Sequence, residues 1–376
     1  MKRLFVPKET DPFETRAALA PDDIPKLLEL GFEIEVESGL GLAADFSDAD
    51  YEKAGARITD DRAGALKRAD SLCRVRASSQ EEIALLPKGV LQISFLDPFH
   101  EGPMLNALAA AEIDAISLEL IPRTTLAQKM DALSSQANLA GYAAVLLAAS
   151  RLRKLLPMLM TAAGTISPAR FLIVGVGVAG LQAIATARRL GARVDAFDTR
   201  PVVEEQVRSL GAKFIKIDLG ETGQTSGGYA KELSAEQLER QRAELAKACA
   251  RADVVITTAK VFGKPAPRII TAAMLEKMTR GSLVIDLAIE SGGNVEGAKP
   301  NEEVTTEQGV RILGPINLEG RHARDATRML SANFTNLITH CYDKEKGAFR
   351  LDDPDEILQG CLLTRGGRKV HPNFQD

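Results

Sequence analysis

Three glycines in the middle of the chain have the spacing of a dinucleotide-binding turn. Gly175, Gly177 and Gly180 directly follow an apolar run and precede a stretch with apolar residues at helical spacing. In such a unit the first glycine permits a tight turn, the second lets the backbone approach a pyrophosphate, and the third allows close packing of the helix on the strand. The helix N-terminus then presents unpaired N–H groups to the phosphates. A turn that is merely tight is the alternative interpretation.

An acid stands where such units hold the ribose of the cofactor. Asp198 ends the second apolar run and follows Gly175 by about the 20 residues at which a carboxylate meets the adenosine ribose hydroxyls. A carboxylate there would repel a 2′-phosphate, which favours NAD(H) over NADP(H). We predict that the cofactor-binding residues are Gly175, Gly177, Val178, Ala179, Gly180, Asp198, Thr199, Arg200, Tyr229, Thr258 and Ala259.

A second polar set follows the predicted strand 114–120. Its candidate catalytic residues are Arg123, Gln128, Asp131 and Ser134. Ligands of open α/β sheets lie beyond the carboxyl ends of the strands, so this set should border a cleft. If a helix begins near Lys129, Asp131 and Ser134 share one face of it. Hydride transfer between two nicotinamides needs groups that orient the ring rather than a general base. A capped helix start with a solvated arginine is the alternative.

The histidines argue against acid–base chemistry at these two places. The chain contains His100, His322, His340 and His371, and none lies in the segment 131–136 or beside the glycine turn. A dehydrogenase of alcohols or 2-hydroxy acids commonly needs such a group. His100 follows a predicted strand, and two interpretations stay open: it enters the cleft, or, as we favour, it is a loop residue.

Composition bounds the class of protein. A length of 376 residues predicts two domains, and a net charge of −4 without a basic run indicates no nucleic-acid partner. The four cysteines form no CxxC pair, so we expect reduced thiols in a cytosolic setting and no metal site. The N-terminus lacks the apolar region of a leader peptide. Charged residues interrupt the most apolar long segment, 139–164, so no direct membrane insertion is expected.

The order of the predicted elements defines an α/β fold class. Strands and helices alternate through residues 1–120 and again after residue 165, which predicts two Rossmann-like, doubly wound domains with a cleft between them. A long helix should run from Gln128 to about Leu156, and another should lie near 325–341. We expect a discontinuous first domain (1–130 plus about 325–376), a linking helix and connection (131–164) and an NAD(H)-binding Rossmann domain (165–324).

A glycine-rich polar segment, 218–233, lies between the third and fourth strands of the second domain. It has few residues to bury, so we predict a mobile loop. Tyr229 is its only large aromatic residue. Two interpretations stay open for this side chain: it closes over a ligand, or it only holds the loop to the surface.

Taken together, these segments resemble the NAD(H)-binding subunits of the proton-translocating nicotinamide nucleotide transhydrogenases. The resemblance covers nearly the whole chain, and its motifs are PKETDPFETRAALAP, VESGLG, IPRTTLAQKMDALSSQANLAGY, MTAAGT, GVGVAGLQAIATARRLGA, GGYAKEL, GKPAP, IDLAIESGGN and CLLTRGGRKVHPNF. The opening and the glycine-turn half are shared with alanine dehydrogenases. The pattern RxxxxQxxDxLSSQxNxAGY is typical of the transhydrogenases alone.

The resemblance implies a reaction and a role for each matching residue. Arg123, Asp131 and Ser134 would hold the nicotinamide, Gln128 would reach toward the second nucleotide, and Tyr229 would belong to the mobile loop. The implied enzyme is a Re/Si-specific transhydrogenase, in which NADH bound to this chain gives a hydride to NADP⁺ on a separate NADP(H)-binding subunit. A membrane-spanning subunit would couple the transfer to proton translocation. The chain would form a homodimer and would be cytoplasmic, associated with the inner membrane through its partners.

Two other functions stay open at this point. An alanine dehydrogenase shares Arg16 of the opening motif, but its substrate lysine aligns with the segment 74–76 and its catalytic histidine has no counterpart in register. Its acid is replaced by Glu290. A non-catalytic NAD-sensing module is the third possibility, although a sensor would not need the polar set at 123–134.

Overall fold

The computed structural model describes residues 2–220, 233–261 and 263–375. The chain divides into two compact units, Met1–Gln136 with Gly320–Asp376, and Ala137–Glu319. Each unit is built on a mainly parallel sheet covered by helices. The predicted α/β class, with two Rossmann-like sheets, is confirmed.

The first segment of unit 1 alternates short strands and helices. Its elements are β1 (Lys2–Val6), α1 (Ile24–Glu29), β2 (Phe32–Glu37), α2 (Asp48–Ala54), β3 (Arg57–Thr59), α3 (Arg62–Arg68), β4 (Ser71–Cys73), α4 (Gln80–Ile83), β5 (Leu91–Ser94), α5 (Gly102–Ala110), β6 (Asp114–Ser117) and the start of α6 (Ala132–Arg151). Ser47 and Ser79 cap α2 and α4, each with a reciprocal carboxylate three residues on. These capping boxes fix where both helices begin.

Unit 2 contains the glycine turn. Its elements after α6 are β7 (Leu159–Thr161), β8 (Gly164–Ile166), β9 (Arg170–Val174), α7 (Val178–Arg189), β10 (Arg193–Phe197), α8 (Glu204–Ser209), β11 (Lys213–Phe214), α9 (Ala235–Cys249), β12 (Val254–Thr257), α10 (Ala272–Leu275), β13 (Leu283–Asp286), β14 (Glu303–Thr305) and β15 (Arg311–Leu313). The chain then returns to unit 1 with α11 (Ala323–Cys341), β16 (Tyr342–Asp343), β17 (Ala348–Phe349), α12 (Glu356–Cys361), β18 (Leu362–Arg365) and β19 (Arg368–Lys369).

Both large sheets share one strand order. The sheet of unit 2 runs β11-β10-β9-β12-β13-β15-β14, and that of unit 1 runs β19-β18-β6-β5-β4-β1-β2-β3. Counted within each unit, the six parallel strands follow the order 3-2-1-4-5-6 of a doubly wound fold, and ligands of such folds bind where the order reverses. In unit 1 that point lies after β1 and β4. In unit 2 it lies after β9 and β12.

The continuous apolar run of β9 follows from burial on both faces. Phe171 and Ile173 pack into one core cluster, while Leu172 and Val174 pack into a second cluster on the other side. Successive side chains of a strand point to opposite faces, so a strand covered twice needs an unbroken apolar sequence.

The tail of the chain completes the first sheet, which the sequence analysis did not anticipate. β18 pairs antiparallel with β6, and β19 pairs with β18. Arg365 of β18 donates to the buried Asp114 of β6 at 2.5 Å and to Asp352 at 2.6 Å. Strand β18 is therefore held to β6 by a charged pair as well as by the hydrogen bonds of the sheet.

The predicted helix 128–156 is shorter at both ends. Residues Ala127–Met130 form a separate 3₁₀ turn, and the α-helix covers Ala132–Arg151. Ala127 and Met130 are both buried, and this three-residue spacing of apolar residues is shared by 3₁₀ and α-helices. By length and composition α6 passes as a membrane span, which is weak evidence because core helices pass the same test. Tyr229 and the residues 221–232 lie outside the described residues, so the loop prediction stays a prediction.

Candidate functional site

The glycine turn follows β9 and is locked by a threonine from the next strand. Gly175 has a φ of 96°, a conformation that residues with a side chain rarely adopt. A Cβ on Gly175 would lie 2.7 Å from the Thr258 hydroxyl oxygen. That hydroxyl donates to the Gly175 carbonyl at 2.9 Å. The glycine turn after β9 is thus hydrogen-bonded to the residue that follows β12, at the strand-order reversal of unit 2.

Glycine is favoured at the other two positions of the motif, 180 and 177, for two different physical reasons. A Cβ on Gly180 would lie 2.0 Å from the Gly175 carbonyl oxygen, so the first turn of α7 packs directly on the strand end. A Cβ on Gly177 would meet no protein atom within 4 Å. Packing within the described residues therefore does not require glycine at 177, whereas the close approach of a pyrophosphate would. The turn fits a bound dinucleotide.

Gly141 is a site-supporting residue that the sequence analysis missed. A Cβ there would lie 2.1 Å from the carbonyl oxygen of Ala179. Ala179 belongs to the first turn of α7, whose N–H groups are predicted to face the phosphates. Helix α6 therefore packs directly against the first turn of α7 at Gly141, where a larger residue would not fit. In the sequence, the only signal for Gly141 is its place in the AGY triplet that ends the polar segment.

Asp198 lies just beyond β10, and its carboxylate is almost completely buried. The backbone N–H of Val176 donates to Oδ2 at 2.7 Å, and that of Arg200 donates to Oδ1 at 2.9 Å. The Arg200 guanidinium adds a second bond to each oxygen, Nε to Oδ1 at 2.9 Å and Nη2 to Oδ2 at 2.7 Å. Asp198 is thus tied to the glycine turn, and its charge is paired, which the argument from repulsion of a 2′-phosphate did not consider. The ribose-binding role of Asp198 stays a prediction.

A buried carboxylate behind this turn was also missed. Asp286 accepts the N–H groups of Ala288, Asn294 and Val295 at 2.7–3.0 Å. Asn294 in turn accepts the Ala259 N–H at 3.0 Å and donates to the Ala259 carbonyl at 2.8 Å. Asp286 therefore shapes the loop that holds the predicted cofactor residue Ala259 in place. The signal in the sequence was an acid that ends an otherwise apolar strand.

The second polar set lies between β6 and α6 in unit 1. Asp131 and Ser134 are in contact: Asp131 accepts the Ser134 N–H at 2.9 Å and the Ser134 hydroxyl at 2.6 Å. Arg123 and Gln128 are exposed on the connection before them. The capping geometry is therefore present. Among the described residues the Asp131 carboxylate receives these two bonds, whereas a carboxylate offers about four acceptor positions. The catalytic role of the set stays a prediction.

The residues that hold this segment come from α11. The side chain of Asn333 accepts from the Ser135 hydroxyl at 2.7 Å and donates to the Lys129 carbonyl at 2.9 Å. Gln136 donates to the Ala326 carbonyl at 3.2 Å. Bonds between residues about 200 positions apart leave no pattern in one sequence, so Asn333 was not predicted.

Replacement of Asn333 by alanine should lower the free energy of unfolding by about 1–3 kcal/mol, because the Lys129 carbonyl and the Ser135 hydroxyl would lose a buried partner. Urea denaturation measures the change. Asn336→Ala is the matched control, since Asn336 is only half-buried and bonds the same carbonyl at a longer distance, 3.3 Å. Equal losses of stability from the two substitutions would contradict the role of Asn333 in holding this segment.

Buried ion pairs lie at the strand-order reversal of unit 1, between residues that follow β1 and residues that follow β4. Arg16, 4% exposed, donates from Nε to Glu14 Oε1 and from Nη2 to Glu14 Oε2, both at 2.7 Å. Its Nη1 reaches Gln136 Oε1 at 3.1 Å. Arg76 donates to the same Glu14 at 2.8 Å. Burial by itself would raise the pKa of Glu14, but hydrogen bonds and charges from Arg16 and Arg76 outweigh it, so that pKa is lowered.

His100 is not presented as an acid–base group. Its Nδ1 lies 2.8 Å from Asp97 Oδ1, and both side chains are about half exposed. The preceding backbone is anchored by Glu119, which accepts the N–H groups of Leu96 and Asp97 at 3.1 and 2.8 Å. Burial raises the pKa of Glu119, against the opposing hydrogen bond from Ser117. His100 is thus a surface loop residue, in keeping with its interpretation from sequence.

Two family models match the chain, the alanine dehydrogenase/PNT N-terminal domain over residues 5–140 and the alanine dehydrogenase/PNT C-terminal domain over 144–372. An NAD(P) transhydrogenase alpha subunit of Rhodospirillum rubrum is 43% identical over 98% of each chain. Alanine dehydrogenase of Halomonas elongata is 30% identical over 97% of this chain and 94% of its own. The crystal structure of transhydrogenase from Sinorhizobium meliloti has a TM-score of 0.85 at 43% identity and covers 99% of this chain and 100% of that one.

Two doubly wound sheets, a glycine turn and an acid after the second strand define a dinucleotide-binding protein. The chain belongs to the alanine dehydrogenase/PNT family, with NAD(P) transhydrogenase alpha subunits among its relatives at 43% identity. NAD(H) is the cofactor that it binds, as the sequence predicted.

Proposed function

We propose that this chain is the NAD(H)-binding subunit of a proton-translocating transhydrogenase. NADH bound here gives its hydride to NADP⁺ on a separate NADP(H)-binding subunit, and a membrane-spanning subunit couples the transfer to proton movement. The observation that carries the proposal is the Asp131–Ser134 pair, at 2.6 Å, within the polar segment that distinguishes transhydrogenases. The 43% identity to a transhydrogenase alpha subunit over nearly all of both chains supports it.

The residues of the chain have orienting roles in this proposal. Asp131 and the Ser134 hydroxyl oxygen both accept from the carboxamide N–H groups of the nicotinamide, while the Ser134 hydroxyl proton stays with Asp131. Arg123 fixes the same ring from the preceding loop. Gln128 is directed at the second nucleotide. NADH supplies the hydride, so no protein group has to take or give a proton during the transfer. Holding the ring close to its reactive geometry is the rate contribution expected of such groups.

The buried ion pairs of unit 1 favour this function over amination of a keto acid. A keto-acid substrate needs a cation for its carboxylate, and Arg16 is the arginine that the opening motif shares with alanine dehydrogenases. Both edges of the Arg16 guanidinium are already used by Glu14 and Gln136. A substrate carboxylate would have to displace an internal carboxylate from a nearly inaccessible arginine, which is costly.

The partners and the location follow from the same proposal. The chain carries no basic run for nucleic acid, and α6 has polar contacts of a core helix at its start. We place it in the cytoplasm, bound peripherally to the inner membrane through the other subunits. Tyr229 is proposed to close over bound NADH, which would lower hydrogen exchange in the segment 218–233.

The homodimer is proposed to form through the hairpin β7–β8. Every residue of both strands is exposed, and the apolar side chains Met158, Leu159, Met160 and Ile166 are 41–78% exposed. An exposed cluster of large apolar residues is typical of a surface that another chain covers. The second copy of this chain is the occupant that we propose, and the four residues supply a self-complementary apolar contact.

Met160→Glu should convert the dimer to a monomer, because a carboxylate in the middle of an apolar contact would lose its hydration without gaining a partner. Sedimentation velocity measures the mass. Leu42→Glu is the control: Leu42 is 61% exposed and lies in unit 1, away from the hairpin in sequence, so this variant should stay dimeric. A dimeric Met160→Glu variant would place the interface elsewhere.

A mixing experiment tests the reaction itself. The purified chain is combined with an NADP(H)-binding subunit of a transhydrogenase, and hydride transfer from NADH to NADP⁺ is followed by stopped-flow absorbance. Transfer that requires both proteins supports the proposal. Formation of alanine from pyruvate, ammonia and NADH by this chain alone would favour an alanine dehydrogenase instead. If the chain binds NADH but supports neither reaction, the non-catalytic NAD-sensing module is the remaining alternative.

A further inference from the structure

The carboxylate of Asp198 has no acceptor position left for a ribose hydroxyl. It receives four hydrogen bonds, two from the backbone N–H groups of Val176 and Arg200 and two from the Arg200 guanidinium, all at 2.7–2.9 Å. A carboxylate offers about four acceptor positions. In this arrangement the residue that should hold the ribose is saturated by its own neighbours.

The guanidinium of Arg200 also closes onto the glycine turn. Its Nη2 donates to the Val176 carbonyl at 3.1 Å while it donates to Asp198. The side chains of Arg200 and Asp198 are only 14% and 6% exposed. The hydrogen bond with Asp198, with burial acting against it, raises the pKa of Arg200. The arginine therefore lies across the strand end, over the position that the ribose takes in a dinucleotide-binding unit.

This pairing changes how the chain distinguishes the two cofactors. A buried carboxylate that is paired with a guanidinium has no net charge to repel a 2′-phosphate. Once the arginine leaves, the unpaired carboxylate both accepts ribose hydroxyls and repels a phosphate. Discrimination then depends on the position of Arg200 as well as on Asp198.

We propose that Arg200 is a specificity-determining residue: its guanidinium occupies the two acceptor positions of Asp198 that the adenosine ribose hydroxyls need, and it is displaced when NAD(H) binds. The two backbone donors keep the carboxylate in place throughout. The proposal rests on the ribose-binding role of Asp198. A ligand must shift the pair from closed to open, so its apparent affinity is lowered by the small open fraction.

The substitution Arg200→Ala removes the guanidinium that competes with the ribose hydroxyls for Asp198. It leaves the two backbone N–H donors of Val176 and residue 200 in place. We expect NADH to bind about tenfold more tightly, because the open state no longer has to be selected. NADPH should bind no better than to the wild type, because its 2′-phosphate meets an unpaired carboxylate. The affinity ratio of NADH to NADPH should therefore widen. Isothermal titration calorimetry of both nucleotides gives the two constants without any hydride acceptor, so a failure here leaves the proposed transfer reaction untouched.

Three comparisons make the experiment decisive. Arg208→Ala removes an arginine of an ion pair with Glu204, 66% and 21% exposed, and should leave both affinities unchanged. Arg200→Lys keeps the charge but not the two-pronged donor set, so its NADH affinity should fall between those of the wild type and Arg200→Ala. NADH with a 2′-deoxyadenosine ribose should gain less from Arg200→Ala than NADH does. Circular dichroism and thermal unfolding show whether each variant is folded.

Weaker NADH binding by both folded variants, Arg200→Ala and Arg200→Lys, would overturn the proposal and show that the guanidinium supports the site. An unchanged ratio of NADH to NADPH would overturn it as well. An equal gain for the deoxy nucleotide would do the same, because the gain would then not depend on the ribose hydroxyl.

Discussion

Replacement of Asp131 by asparagine should lower the rate of hydride transfer on the order of 100-fold, the cost of about 1 Å of misplacement of the reacting ring. The affinity for NADH should change far less, because we propose that the glycine turn and Asp198 hold the adenosine and the phosphates. The substitution keeps an oxygen that can accept the Ser134 N–H, now 2.9 Å from Oδ1. The helix start should therefore persist while the charge is lost.

Stopped-flow transfer to NADP⁺ on the partner subunit measures the rate, and fluorescence titration measures the NADH affinity. Asp61→Asn is the matched control, since Asp61 caps α3 through the Gly64 N–H at 2.8 Å in the same unit. The control should transfer hydride at the wild-type rate. If Asp131→Asn does so too, its carboxylate is only a helix cap.

Glu14→Gln should lower the free energy of unfolding by about 3–5 kcal/mol, as expected when one partner of a buried ion pair is removed. The side chains of Glu14 and Arg16 are 0% and 3% exposed, so water cannot replace the lost carboxylate. Arg76 would lose the same partner. Glu33→Gln is the control, because the Arg3–Glu33 pair is about 45% exposed on both sides. Such surface pairs contribute about 0–1 kcal/mol.

The same pair gives stability a dependence on pH with a definite sign. The pKa of Glu14 in the folded chain lies below its ordinary value of 4.5. Stabilisation is therefore fully present above that ordinary value and is lost as the pH falls through the lowered pKa of the folded state. Urea denaturation between neutral and acid pH should show this loss in the wild type and not in Glu14→Gln. Parallel pH profiles of the two proteins would contradict the assignment.

Local patterns predicted the scaffold of the nucleotide site. The run of β9, the three glycines and the acid after β10 are set by neighbours along the chain, so one sequence displays them. Helix α11 and the strands of the Rossmann sheet were found from periodicity in the same way. The start of α6 was misplaced because the buried pair Ala127 and Met130 has a spacing that both kinds of helix use.

Contacts across the fold were not predictable from one sequence. Asn333 and Asp286 support predicted site residues, yet their partners depend on how distant elements pack. The pairing of Asp198 with Arg200 is local, and it was missed for another reason. The sequence predicts that Asp198 faces the ribose, but it does not show which hydrogen-bond donors reach the carboxylate when no ribose is bound.

The return of the chain to unit 1 constrains the order of folding during synthesis. Helix α11 and strand β18, which complete the core and sheet of that unit, are translated after all of Ala137–Glu319. Unit 2 is continuous in sequence and can fold as soon as it has left the ribosome. In unit 1, by contrast, β6 has an unpaired edge until Leu362–Arg365 has been synthesised. Although domains generally fold in order from the N-terminus, here the first segment of unit 1 should reach its native state after unit 2, which follows it in the sequence. In a nascent chain, strand β6 therefore has an unpaired edge until β18 has been made.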